Sequence, residues 1–249
     1  MKQMILNLLY PLFVLLLVLL IWQIAAWSID VDLILPTPLA AFQNLKEYLE
    51  DSKFWISVGW TLLRCLESFF FAFIVALACS LLAYLNKTCE KLFNPFMAFI
   101  RAIPTMAIIL ILVISISPSQ APVIIAFIVI CPTLYQTFLE SFKSIDTTLI
   151  EMIHLYQVPK KKQIFKFYIP SILPMILNNS ATGFSLNMKL VIAAEALALT
   201  RNSIGNLMQS SKVSLEVENL FALTIIAVLL GIICELAIKF LAKRVCKYA

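Results

Sequence analysis

Apolar residues gather in six long runs, at positions 5–27, 60–85, 96–117, 123–142, 172–199 and 220–241. Each is close to the ~20 residues that a helix needs to cross a bilayer. Polar residues cluster between the runs, and few interrupt them. The pattern predicts an all-α polytopic membrane protein of six transmembrane helices, one domain over 1–249. The first run follows Lys2 and carries Ala25-Ala26 at its end, as a secretory signal would. It is longer than the roughly 7–15 apolar residues of a signal, so a retained helix is expected.

Two connections are long. In the first, 28–59, Pro36-Thr37-Pro38 precedes a stretch in which Leu39, Phe42, Leu45 and Leu49 share a helical face. That face fits a helix lying on the membrane surface and equally one packed on its own bundle. The second, 143–170, is too long for a turn. It predicts a helix over 145–157, a break at Pro159, and a short helix over 160–168 ending before Pro170. Leu149, Ile153 and Tyr156 form an apolar stripe beside Glu151. Lys160, Lys161 and Lys162 supply a basic face.

Composition narrows the class. Apolar residues make up 62% and charged residues 13%, with a mean hydropathy of +0.96. A soluble domain holds roughly 45–50% and ~25%, and disordered chains lie further still on the charged side. Little chain is left for a soluble catalytic domain.

Charge sets the orientation. With the N-terminus inside, Lys2, Lys87, Lys91, Arg101, Lys143, Lys160, Lys161, Lys162, Lys166, Lys239, Lys243, Arg244 and Lys247 fall in inner segments. Only Lys46, Lys53, Arg201 and Lys212 fall outside. Positive charge marks the cytoplasmic side, so both termini are expected there. The net charge of +5 then reflects topology and anionic lipid, not nucleic acid.

Chemistry of the catalytic kind finds no support. The six cysteines include no C-x-x-C pair, and there is one histidine, His154. A metal centre or disulfide framework is not expected, nor any cofactor. The four glycines form no G-x-x-x-x-G-K phosphate loop. An integral membrane enzyme would need convergent catalytic groups. A stand-alone secondary transporter would usually show internal repeats and more spans.

One span carries a polar stripe. Asn178, Thr182, Ser185 and Lys189 are spaced 4, 3 and 4, within an arc of about 60°. A lysine inside a span is costly unless it faces water or a partner, so this face is expected to line a pathway. Helix–helix hydrogen bonding is the alternative. Glu195 lies about 120° away and is grouped with the pathway residues, its partner being Arg201 or another span. Arg64 and Glu67, at i and i+3, are expected to satisfy one another. The stripe has no charged partner on its own face. Burial against a second copy by two-fold pairing would supply one, with a heterodimer as the alternative.

The stretch Glu151-Met152-Ile153-His154-Leu155-Tyr156-Gln157, followed at the expected gap by Ile169-Pro170, resembles the cytoplasmic signature of binding-protein-dependent ABC importer permeases. Leu35-Pro36-Thr37-Pro38, Arg101-Ala102-Ile103-Pro104-Thr105, Ala194-Glu195 and Ser203-Ile204-Gly205 resemble the nitrate/sulfonate/taurine-type group, which includes thiamine-precursor and riboflavin importers. The resemblance implies the MetI-like architecture of type I importers. It further implies two permease subunits, a cytoplasmic ATPase dimer and an extracytoplasmic solute-binding protein. The expected ATPase contact is Glu151, Met152, Ile153, Tyr156, Gln157, Val158, Pro159 and Lys160. Met152 and Ile153 replace two alanines of the signature, and Gln157 replaces its glycine. A left-handed residue there would cost Gln157 about 1–2 kcal/mol.

Overall fold

The computed structural model describes every residue except Met1, Asp30, Asp32, Thr147, Leu149, Ile150, Ile153, His154, Val158, Tyr248 and Ala249. The described residues form helices and no strands. In chain order these are α1 (Lys2–Ile29), α2 (Pro38–Glu50), α3 (Ser52–Leu85), α4 (Lys87–Ala102), α5 (Thr105–Ser115) and α6 (Ala121–Lys143). There follow α7 (Lys160–Gln163), a π-helical turn (Ile164–Tyr168), α8 (Ile169–Ala198), α9 (Ile204–Val213) and α10 (Val217–Lys247).

Among them α3, α6 and α10 are long and apolar enough to cross a membrane. Helices α4 and α5 make a fourth crossing if taken together, bent by 86°. The continuous third span expected from the sequence is therefore broken. Pro104 explains the break, because proline drives the residue before it out of the helical region, and Ile103 is extended (φ −71°, ψ 128°). Helix α8 has the length, but Asn178, Asn179, Asn187, Lys189 and Glu195 dilute its apolar content. Only the Phe13–Ile29 part of α1 counts as a shorter apolar helix.

Helix α6 is the centre of the bundle. Tyr135, Phe138, Phe142, Leu134 and Leu139 are buried there against Ala72, Ala76 and Ala83 of α3 and Ile172 and Ile176 of α8. The alanines, four and seven residues apart with buried Ser80 between the last two, let two backbones approach closely, the usual basis of helix association in lipid. Tyr135 donates a hydrogen bond to Asn94 Oδ1 at 2.7 Å, fastening α4. Helix α1 stands at the edge, held where Trp22 donates to the Pro36 carbonyl at 3.0 Å and stacks on Phe221.

Helix α2 faces two ways. Pro38 and Ala41 are buried, and Leu45 and Tyr48 pack on Phe54, Val58, Ile204 and Leu223. Leu39 and Phe42 remain exposed. The helix thus packs on its own bundle and keeps an apolar outer edge. Thr37 caps its start by accepting from Ala40 N. Helix α3 begins at Ser52, capped by Asp51, eight residues before the apolar run at 60.

The second long connection also departs from expectation. The helix from Lys160 does not stop before Pro170; it continues through the π turn into α8. Pro170 has no N–H to give, and the wider turn, in which Ile169 N–H bonds the Ile164 carbonyl, takes the proline in without a stop.

Candidate functional site

At the α2/α9 end of the bundle the chain makes a tight reversal. Leu199 closes α8 in the left-handed region (φ 52°), and Asn202 repeats that conformation (φ 49°). Helix α9 then starts at Ser203, whose Oγ accepts from Asn206 N at 3.1 Å and donates to the Thr200 carbonyl at 2.7 Å. Gly205 lies so close to α8 that a Cβ would fall 2.4 Å from the Ile192 carbonyl oxygen and 2.6 Å from Ala196 N. Only glycine fits.

This approach places the start of α9 over a buried carboxylate. Glu195, fully enclosed, accepts from Arg64 Nη1 at 2.9 Å, Thr61 Oγ1 at 3.0 Å and Gly205 N at 3.4 Å. Thr61 Oγ1 in turn accepts from Ile204 N at 3.0 Å. Arg64 also reaches the carbonyls of Arg201 and Asn202, at 3.4 and 3.5 Å. The negative charge meets a guanidinium and the positive end of a helix together. Five residues from α3, α8 and α9 form one polar knot. A second buried link lies below it, where Asn187 of α8 donates to the Cys65 carbonyl at 2.9 Å and to Ser68 Oγ at 3.0 Å.

The opposite face of α8 is open. A cavity of about 740 Å³ runs between α8, α9 and α10, with Lys189, Gln209, Lys212, Thr224 and Glu235 among mainly apolar walls. A second, of about 460 Å³, continues along α8 toward α6 and is lined by Thr133, Thr137, Asn179, Thr182, Ser185, Lys189 and Glu235. Ser185, Lys189 and Glu235 belong to both. Three of the four stripe residues thus share a groove. Asn178 is exposed beside it, and Asn179 is the amide that lines it.

Glu195 stands apart from that groove, on the enclosed side of α8. Its partner is another span, not Arg201. Arg64 does not turn to Glu67, which is exposed; the enclosed carboxylate has the stronger claim on a buried guanidinium. Local spacing marks Glu235 only as the i, i+4 partner of Lys239; its place on the groove needs α10 packed against α8. Its hydrogen-bonded neighbour in the fold is Lys239, at 2.6 Å.

In the second long connection Glu151 and Met152 are helical and exposed, as is Leu155. Tyr156 and Gln157 form the turn that follows, with Tyr156 largely exposed. Gln157 takes the left-handed conformation (φ 47°) that a glycine would adopt freely. Pro159 is exposed, and Lys160 opens α7. Ile153 and Val158 lie outside the described residues, as does Leu149 of the apolar stripe. Asp146 leads into this segment, accepting from Thr148 N at 2.9 Å and Thr148 Oγ1 at 2.7 Å.

Comparison with known proteins identifies the family. Residues 68–247 match the family of binding-protein-dependent transport system inner membrane components. The chain belongs to that family. It is 20% identical over 90% of its length to the taurine transport system permease protein TauC of Escherichia coli (strain K12), covering 83% of that protein. It is 23% identical to the formylaminopyrimidine transport permease protein ThiX of Halalkalibacterium halodurans, over 90% of this chain and 89% of that one. The fold is similar to a chain of the inward-facing MetNI methionine ABC transporter, with a TM-score of 0.68 and 17% identity over 76% of this chain and 94% of that one. The protein is a membrane transport component and not an enzyme; ATP hydrolysis belongs to a separate subunit.

Proposed function

We propose that this chain forms the translocation pathway of an ABC importer for a small solute, a taurine- or sulfonate-like anion or a vitamin precursor such as a thiamine pyrimidine. The observation that carries the reading is the groove on α8, open to solvent-sized molecules, with Lys189 exposed on it inside a helix long enough to cross the bilayer. A membrane-embedded cation is costly unless it faces water or a negative partner, and an anionic solute in the groove is such a partner. The relatives named above transport taurine and formylaminopyrimidine, which favours this substrate range.

The proposed topology has six crossings: α1, α3, the bent α4–α5 pair, α6, α8 and α10. Helices α1 and α8, of 28 and 30 residues, reach about 42 and 45 Å at 1.5 Å per residue, enough for the ~30 Å hydrocarbon core. The distribution of lysine and arginine supports a topology with the 143–170 connection and both termini in the cytoplasm of an inner-membrane protein. There Glu151, Met152, Ile153, Tyr156, Gln157, Val158, Pro159 and Lys160 contact the ATPase dimer, a helix presented to a groove. The α2/α9 end faces the solute-binding protein. Two copies of this chain pair around the α8 groove.

Reconstitution of the permease, ATPase and binding protein in proteoliposomes tests the reading. Labelled taurine and formylaminopyrimidine are offered in parallel. ATP-dependent uptake of one of them, lost in Lys189→Ala while the ATPase still assembles, is the expected result. Uptake of either one unchanged in Lys189→Ala contradicts the pathway.

A further inference from the structure

Lys189 has no carboxylate within ion-pair distance among the described residues, yet it sits on an apolar helix where a lone cation is costly. One carboxylate shares its surroundings. Glu235 of α10 is the only acidic residue lining either cavity, and it lines both, as Lys189 does. Glu235 is bonded to Lys239, one turn along its own helix, and both side chains are partly open to solvent. Pairs of that kind are held weakly, so the carboxylate is free to change partner.

The helix packing favours such a change. Helices α8 and α10 run in opposite directions and cross where Gly231 faces Ser185 Oγ and Met188 Sδ, with a Cβ on Gly231 falling 3.7 and 3.9 Å from them. Lys189 lies one turn to the α9 side of this crossing, and Glu235 one turn to the other side. Helical side chains lean toward the N-terminus of their own helix. In an antiparallel pair both therefore lean back across the crossing, toward each other. Two turns, about 11 Å along the axis, separate their backbone levels, which an extended lysine and glutamate together nearly span. A short slide of α10 along α8 closes the rest.

We infer that Glu235 is the alternate partner of Lys189: when the groove closes, the carboxylate leaves Lys239 for Lys189, and a solute anion entering the groove competes with it for the same ammonium. Glu235 thus positions Lys189 and sets which anions can displace it. The inference rests on the reading of this groove as the transport pathway.

The test uses the complete complex in nanodiscs, nucleotide-free and trapped with ADP and vanadate. Thermal unfolding is followed for Lys189→Met, Glu235→Gln, their double variant, and the exchanged pair Lys189→Glu with Glu235→Lys. In the trapped state each single change is expected to lower Tm by about 3 °C or more, the double variant by no more than one single change, and the exchanged pair to recover most of the loss. In the nucleotide-free state the two single effects are expected to add. Additive shifts in both states, or an exchanged pair no more stable than the single variants, overturn the proposal. Should the single variants fail to assemble, an exchanged pair that does assemble is the expected outcome, and one that fails with them overturns it. Hydrolysis stimulated by the binding protein in the wild-type complex checks the transport reading separately. Stimulation together with additive shifts removes the exchange alone.

Discussion

Arg64 Nη1 lies 2.9 Å from Glu195 Oε1, joining α3 to α8 across 131 residues of chain. Both groups are buried, and the carboxylate has three donors. Removing one member leaves the other charged and enclosed, which costs about 3–5 kcal/mol. Arg64→Ala and Glu195→Ala should each destabilise the protein by that amount. Replacing both by apolar residues of similar volume, Arg64→Met with Glu195→Leu, should cost much less. Thermal unfolding in nanodiscs distinguishes them. A loss in the double variant equal to the sum of the two single losses would show that the pair is not one unit.

Gly205 gives a second, steric prediction. A Cβ there meets backbone atoms of α8 at 2.4 and 2.6 Å, which cannot swing aside as a side chain would. Gly205→Ala should destabilise by about 3 kcal/mol, the upper part of the overpacking range. It should also expose the α8–α9 reversal to protease. Gly231→Ala is the control, since its nearest neighbours stand 3.7 and 3.9 Å away. A protease pattern shared by the two variants would argue against the close approach.

The left-handed Gln157 gives a prediction of opposite sign. Its φ of 47° is a conformation in which side chains are strained by about 1–2 kcal/mol. Gln157→Gly removes the strain but adds freedom to the unfolded turn. The net gain should be up to about 1 kcal/mol. Slower hydrogen exchange around residues 151–157 is the readout.

Asp146 sets a pH limit on the same segment. Hydrogen bonds from the Thr148 hydroxyl and then its N–H hold the Asp146 carboxyl below its ordinary value. A lowered folded-state pKa stabilises above the ordinary aspartate pKa of about 3.9, and that stabilisation fades as pH falls through the lowered value. Exchange over 143–157, corrected for intrinsic rates, should therefore be flat from about pH 5 to 8. Asp146→Ala should raise it throughout that window. A wild-type rise between pH 8 and 5 would contradict this.

How far the sequence was legible depended on how local the signal was. The long apolar windows of α3, α6 and α10 are visible in composition alone. The stripe of Thr182, Ser185 and Lys189 is visible because helical periodicity is a short-range property. The 86° turn between α4 and α5 has a local cause in Pro104, but an apolar run across it hides the break. Long-range pairing is where spacing fails. Arg64 and Glu67 are neighbours by helical arithmetic, yet burial sends Arg64 to a carboxylate on another helix. Glu235 joins Lys189 only once α10 is folded against α8. The strain at Gln157 was legible as a choice between two conformations, and the backbone takes the left-handed one.

The central claim is that this chain is moved by a separate ATPase docked on the 143–170 connection. A photo-crosslinking residue placed at Tyr156, which is largely exposed, tests it most directly, with Lys46 as the control on α2. In the reconstituted complex, position 156 should yield an adduct with the ATPase subunit and position 46 none. No adduct from 156, or an ATPase adduct from 46, would contradict the account.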